Sequence, residues 1–131
     1  MRFGISSIEF LSHPEMNRIQ FSQLVDEALD RLPRAFKDKI ENVAIIVEDY
    51  PEKELQQEYS GLLLGLFRGI PRTRQSVFWA GMPGQIFLYQ KNIEAVCKNE
   101  RDLVRQIEVT LKHEIGHYFG LSERDLRRRG Y

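Results

Sequence analysis

The segment that most restricts what this chain can fold into runs from Glu100 to Gly120 and reads ERDLVRQIEVTLKHEIGHYFG. Leu103, Val104, Ile107, Leu111 and Ile115 recur at the spacing of one helix face, and Gly120 supplies a C-terminal stop. The spacing predicts a helix from about Glu100 to Phe119 that must bury its apolar stripe against something. At 131 residues the chain is long enough for one hydrophobic core and too short for two. A single domain over residues 1–131 is expected.

Other elements follow from shorter signals. Phe21, Leu24, Val25, Ala28, Leu29 and Leu32 also keep helical spacing, with Ser22 as a candidate cap and Pro33 as the stop. VAIIVED, Val43 to Asp49, is β-branched and apolar and reads as a buried strand ended by Pro51. Pro51 to Tyr59 is helix-permissive. GLLLGLFRG, Gly61 to Gly69, is apolar but broken by three glycines, and is assigned as an extended segment or edge strand. A long loop from Ile70 to Gly84 encloses a short strand at Ser76–Ala80, and Gln85–Gln90 forms a further strand. Ser122 to Arg129 suits one more short helix with Ser122 as its cap and Asp125 three residues on.

Charge names no partner, because 19 Lys and Arg balance 19 Asp and Glu. Neither nucleic acid nor a membrane surface is expected to bind. The first residues lack the pattern of a secretory signal, and no apolar run approaches the roughly 18 residues of a membrane span. Cys97 is the sole cysteine, which excludes an intrachain disulfide and favours a reducing, cytoplasmic setting.

Inside the last long helix, His113, Glu114 and His117 form H-E-x-x-H. Residues four apart stack one turn above each other, so both imidazoles can reach one zinc ion at about 2.0 to 2.1 Å. Glu114, beside them, is placed to act as general base and then acid while the metal polarises a scissile carbonyl. Two of the chain's three histidines are committed to this motif; His13 has no partner motif and reads as a surface residue.

A catalytic zinc needs a third protein ligand and an open position. Fourteen residues follow His117 here, which points to a ligand close behind the motif rather than on a distant helix. H-E-x-x-H-x-x-G-x-x-E puts Glu123 where metzincins carry a third histidine, with Gly120 free to take a positive φ and turn the chain back. Glu123 is the favoured third ligand and Asp125 the alternative. No methionine follows Met82, so a Met-turn downstream of the motif is absent.

HEIGHYFGLSE at His113 to Glu123, with LLGLFRGIP, VAIIVED and MPGQIFLYQKNIEAVC as support, resembles the small bacterial zincin-like metallopeptidases described as minimal matrix-metalloprotease-like domains. The resemblance covers most of the chain. It implies an α+β fold, in which a small mixed β-sheet packs against an N-terminal helix and the H-E-x-x-H helix. It also implies Zn2+ and an acidic third ligand, usually aspartate, at the position of Glu123.

The leading functional reading is a zinc peptidase acting on a peptide or protein substrate, endopeptidase rather than exopeptidase. Two alternatives stand beside it: an inactive module that binds extended peptides, and a hydrolase of non-peptide amides or esters. A substrate strand would lie along an exposed sheet edge. That edge is either Gln85–Gln90, which is preferred, or Gly61–Gly69. Trp79, Phe78 and Phe87 read as core more readily than as a pocket. Tyr118, Tyr89 and Tyr131 are candidate oxyanion donors. The Arg127–Arg129 run reads as solvated, and Cys97 as a buried small residue.

Overall fold

The computed structural model describes residues 14–38, 40, 42–69 and 84–130. Along them lie α1 (Arg18–Arg31), α2 (Arg34–Lys37), β1 (Val43–Glu48), α3 (Lys53–Gln56), β2 (Gly65–Arg68), β3 (Gly84–Tyr89), α4 (Gln90–Ala95), α5 (Glu100–Tyr118) and α6 (Glu123–Arg128). The expected strand at Ser76–Ala80, the loop around it, His13 and Tyr131 lie outside the described residues. No helix among the described residues is long and apolar enough to cross a membrane.

The strands form a mixed sheet in the order β1-β3-β2. β1 runs parallel to β3, from Val43 opposite Gly84 to Glu48 opposite Tyr89. β2 runs antiparallel to it, from Gly65 opposite Leu88 to Arg68 opposite Gln85. This corrects the preferred substrate edge. Gln85 to Leu88 has neighbours on both sides, so its backbone groups are taken up in two ladders and none remain for an incoming peptide. Among the described residues, the alternative segment, Gly61–Gly69, holds an edge strand, β2.

Side chains of β3 alternate across the sheet, as the pleat requires. Ile86 and Leu88 join the main core with Phe21, Leu24, Val25 and Ala28 of α1 and Leu103, Ile107, Leu111 and Ile115 of α5. Phe87 and Tyr89 face the other way and pack with Leu63. Each fully buried side chain of this size contributes roughly 1.5–3 kcal/mol, and the two helical stripes account for most of them. The α+β reading, with the long C-terminal helix packed against a small mixed sheet and the N-terminal helix, holds.

Boundaries differ where tertiary contacts set them. α1 begins before the expected Ser22 cap. Asn17 is the N-cap, paired with Gln20 in a capping box. Its first turn is tied to the sheet by Arg18, which donates to Val47 O at 2.7 Å, Asp49 Oδ1 at 2.6 Å and Gln90 Oε1 at 2.9 Å. Gln90 itself opens α4 instead of ending β3. It is buried, and its amide donates to Met16 O and Glu94 Oε2.

Candidate metal centre

α5 starts at Asn99, whose side chain accepts from the Asp102 N–H, with Glu100 and Asp102 in the first turn to complement the helix dipole. Its inward stripe fixes the rotation of the helix. With Leu111 and Ile115 in the core, His113 and His117 fall on the flank beside β2, and Glu114 is 7% exposed between them. The two imidazoles meet edge to face with centroids 5.0 Å apart.

The end of α5 is built to bring the chain back over them. Phe119 is the C-cap, and Gly120 takes φ +81°. Gly120 N donates to His117 O at 2.9 Å and Leu121 N to Gly116 O at 3.0 Å. This is the pair of bonds of a Schellman motif, which needs a left-handed residue at that point. Ser122 then caps α6 in a capping box with Asp125.

The reversal delivers Glu123. Its Oε1 lies 2.9 Å from His113 Nε2 and 2.8 Å from His117 Nε2. Asp125 is occupied elsewhere, its Oδ2 accepting from Ser122 N and Ser122 Oγ. The hydrogen bonds from Ser122 hold its carboxyl below the ordinary value. Of the two candidate carboxylates, the structure therefore brings Glu123 to the histidines and turns Asp125 to the helix cap.

The donor set fits a cation. His117 Nδ1 lies 3.0 Å from Leu121 O, a group that only accepts, so that nitrogen must carry the proton. Nε2 of a neutral His117 would then meet Glu123 Oε1 lone pair to lone pair, so the contact calls for a positive charge there, either a proton on Nε2 or a metal cation. The same oxygen faces His113 Nε2. Two imidazole nitrogens and a carboxylate oxygen converging on one point are the ligand chemistry of zinc. Partial burial pushes the Glu123 carboxyl up, but the hydrogen bonds from His113 and His117 outweigh it and hold the carboxyl below its usual range.

Glu114 has a different role in the arrangement. Donor atoms of His113, Glu114 and His117 all lie within 4.8 Å of one another, so by distance alone Glu114 is also a possible ligand. Its Oε1, however, accepts the Phe67 N–H at 2.7 Å, and the carboxylate is buried where Glu123 is open to solvent. Burial raises the Glu114 pKa, against the lowering by His117, His113 and the Phe67 N–H.

β2 sits close enough for this bond because Gly65 has no side chain. A Cβ there would lie 2.6 Å from Thr110 Cγ2 and 3.0 Å from Phe87 O. Between β2 and α5 runs a groove of about 640 Å³, lined at one end by Tyr59, Leu63, Gln106 and Val109 and at the other by His117 and Glu123. Sequence reasoning missed these apolar groove residues, although Gln106, Val109 and Thr110 share the helical phase of His113 and His117.

Of the tyrosines singled out from sequence, Tyr118 and Tyr89 are not among the described residues that line the groove, and Tyr131 lies outside the described residues. Tyr118 is buried against Phe67 and Phe119, and Tyr89 packs with Phe87. Phe87 is core, as read. Trp79 and Phe78 lie outside the described residues. Arg127, Arg128 and Arg129 are exposed.

A family model described as zincin-like metallopeptidase matches residues 40–131. Among solved structures, a conserved hypothetical protein from Thermus thermophilus is similar, with 24% identity and a TM-score of 0.54 over 79% of this chain and 94% of that one. At that identity the likeness speaks for the fold alone. No curated protein matches.

Proposed function

This chain belongs to the zincin-like metallopeptidase family, and from that premise we propose that it is a zinc-dependent endopeptidase of peptide or protein substrates. In this reading His113, His117 and Glu123 hold the metal, and Glu114 is the general acid/base. The observation that carries the reading is the convergence of His113 Nε2, His117 Nε2 and Glu123 Oε1 beside a buried carboxylate, all opening on one groove.

Zinc, when bound there, would supply a Lewis acid for the scissile carbonyl and lower the pKa of the attacking water. The remaining steps belong to the chain. Glu114 takes a proton from the attacking water and gives it to the leaving amine. A carboxyl whose pKa is raised by burial suits a group that must both accept and return a proton near neutrality. The Phe67 N–H fixes one oxygen of that carboxylate, leaving the other for the proton. His117 is oriented by Leu121 O, which sets its tautomer for metal binding.

Substrate would lie extended along β2. In the antiparallel ladder Leu64 O accepts from Tyr89 N, whereas Phe67 N is directed to Glu114. Backbone groups alternate along a strand, so those of Gly65 and Phe67 face the groove. An internal peptide segment could pair with the Gly65 groups and the Phe67 carbonyl, the Phe67 N–H being held by Glu114, while its scissile bond reaches the metal.

The test is zinc per chain by elemental mass spectrometry on wild type and His113→Ala, followed by turnover of an internally quenched peptide library. About one zinc in wild type and little in the variant, with cleavage by wild type alone, is expected. Equal zinc in both would overturn the assignment.

A further inference from the structure

α6 has six residues, too few to be stable alone, yet the proposed third ligand stands at its first position. Something in the body of the protein must hold it in place. Leu126 is the sole buried side chain of α6, fully excluded from solvent, while Glu123, Arg124, Arg127 and Arg128 are exposed.

Leu126 packs against the backbone of Gly116, inside the H-E-x-x-H run and one residue before His117. A Cβ at Gly116 would overlap Leu126 Cδ2 and stand 3.4 Å from its Cγ. Leu126 follows Glu123 by three residues, so the two share a side of α6. Seating Leu126 in the Gly116 notch therefore sets the rotation of α6 that turns Glu123 to the histidines. The turn before it is tied to the same short stretch, through Leu121 N to Gly116 O and His117 Nδ1 to Leu121 O.

We infer that Leu126, seated in the notch at Gly116, is the positioning residue that holds Glu123 on the two histidines, so that docking of α6 and zinc affinity are linked. The inference rests on Glu123 being the third ligand. Because the bound ion and the docked leucine stabilise one arrangement, each strengthens the other. Loss of the metal loosens the C-terminal helix, and loss of the docking contact weakens the metal.

The experiment measures zinc affinity by competition with a chromophoric chelator, and the thermal midpoint in EDTA, for the full chain. Leu126→Ala should weaken zinc by about tenfold or more, as removal of groups that orient a ligand does, whereas Leu126→Met should stay close to wild type. Gly116→Ala is the sharper variant. The added methyl must push the buried Leu126 aside, so the EDTA midpoint falls whatever the role of that leucine, and a purely structural role predicts that fall with unchanged zinc affinity. The positioning role predicts the same fall together with weaker zinc. Hydrogen exchange of residues 121–130 should slow when zinc is added to wild type.

Unchanged zinc affinity in both Leu126→Ala and Gly116→Ala, with Glu123→Ala impaired, would overturn the positioning role and leave the ligand assignment standing. If Glu123→Ala also binds zinc normally, the ligand assignment itself falls.

Discussion

The backbone N–H of Phe67, in the edge strand β2, donates to Oε1 of Glu114, in the helix α5, at 2.7 Å. One hydrogen bond thus ties the strand that would align a substrate to the carboxylate that would handle the proton. Glu114→Gln preserves the shape of the side chain and its acceptor for Phe67 but cannot take up a proton. Zinc content should remain at wild-type level, and peptide turnover should fall by roughly 10²–10⁴-fold. Elemental analysis and a quenched-peptide assay on the same preparation check both; persistent turnover in a zinc-loaded Glu114→Gln protein would rule out the general-base role.

Glu123 and Asp125 are separated by their local partners. Glu123 contacts both histidines, whereas Asp125 serves the Ser122 cap. Glu123→Ala should lower zinc affinity by at least about tenfold. Asp125→Ala should leave zinc within a few-fold, since it removes only the reciprocal bond of the Ser122 capping box. The reverse order in a chelator competition would move the ligand to Asp125.

What the sequence disclosed depended on how local each determinant was. α5 and its ending were legible almost to the residue because periodicity, Gly120 and the Ser122–Asp125 pair all act within a few positions. The same locality could have placed Asp125 at the helix cap rather than beside the histidines, since a capping box commits it to Ser122. β2 was hard to assign because glycines break its run. The structure gives one of them, Gly65, a reason: any side chain there would meet Thr110 and Phe87 O. The start of α1 was open to the same local signal, in the Asn17–Gln20 capping box, whereas the opening of α4 was not legible, because Gln90 is fixed by Arg18 and Met16, far back in the sequence.

Cys97 gives a prediction in alkali. Burial, with Asp102 and Glu94 nearby, pushes its thiol from 9.0 up to about 11. Below pH 9 the thiol is protonated in both folded and unfolded chains, and its contribution to stability is fully present. Between pH 9 and about 11 the unfolded chain ionises while the folded chain does not, so that contribution is lost. Urea midpoints of wild type should therefore fall faster than those of Cys97→Ser from pH 8 to 10.5. A gap between the two proteins that stays constant with pH would show that the thiol ionises normally in the fold.

The groove carries a prediction about selectivity. Among the described residues its end at Tyr59, Leu63, Gln106 and Val109 has no charged side chain, and Tyr59, Leu62 and Val109 are 44%, 50% and 46% exposed. β2 and α5 run past one another in the same sense, with Gly65 at Thr110 and Phe67 at Glu114. A peptide antiparallel to β2 consequently sends the residues after its scissile bond towards that apolar end. Leu or Phe directly after the bond should be favoured over Asp by about tenfold or more in kcat/KM, the range an apolar pocket can supply. Val109→Asp, an exposed helical change, should erase most of that preference while leaving zinc content alone. Paired quenched peptides varied on either side of the bond decide it: a preference confined to the residue before the bond means the peptide runs the other way, and equal rates for Leu and Asp remove the groove from substrate recognition.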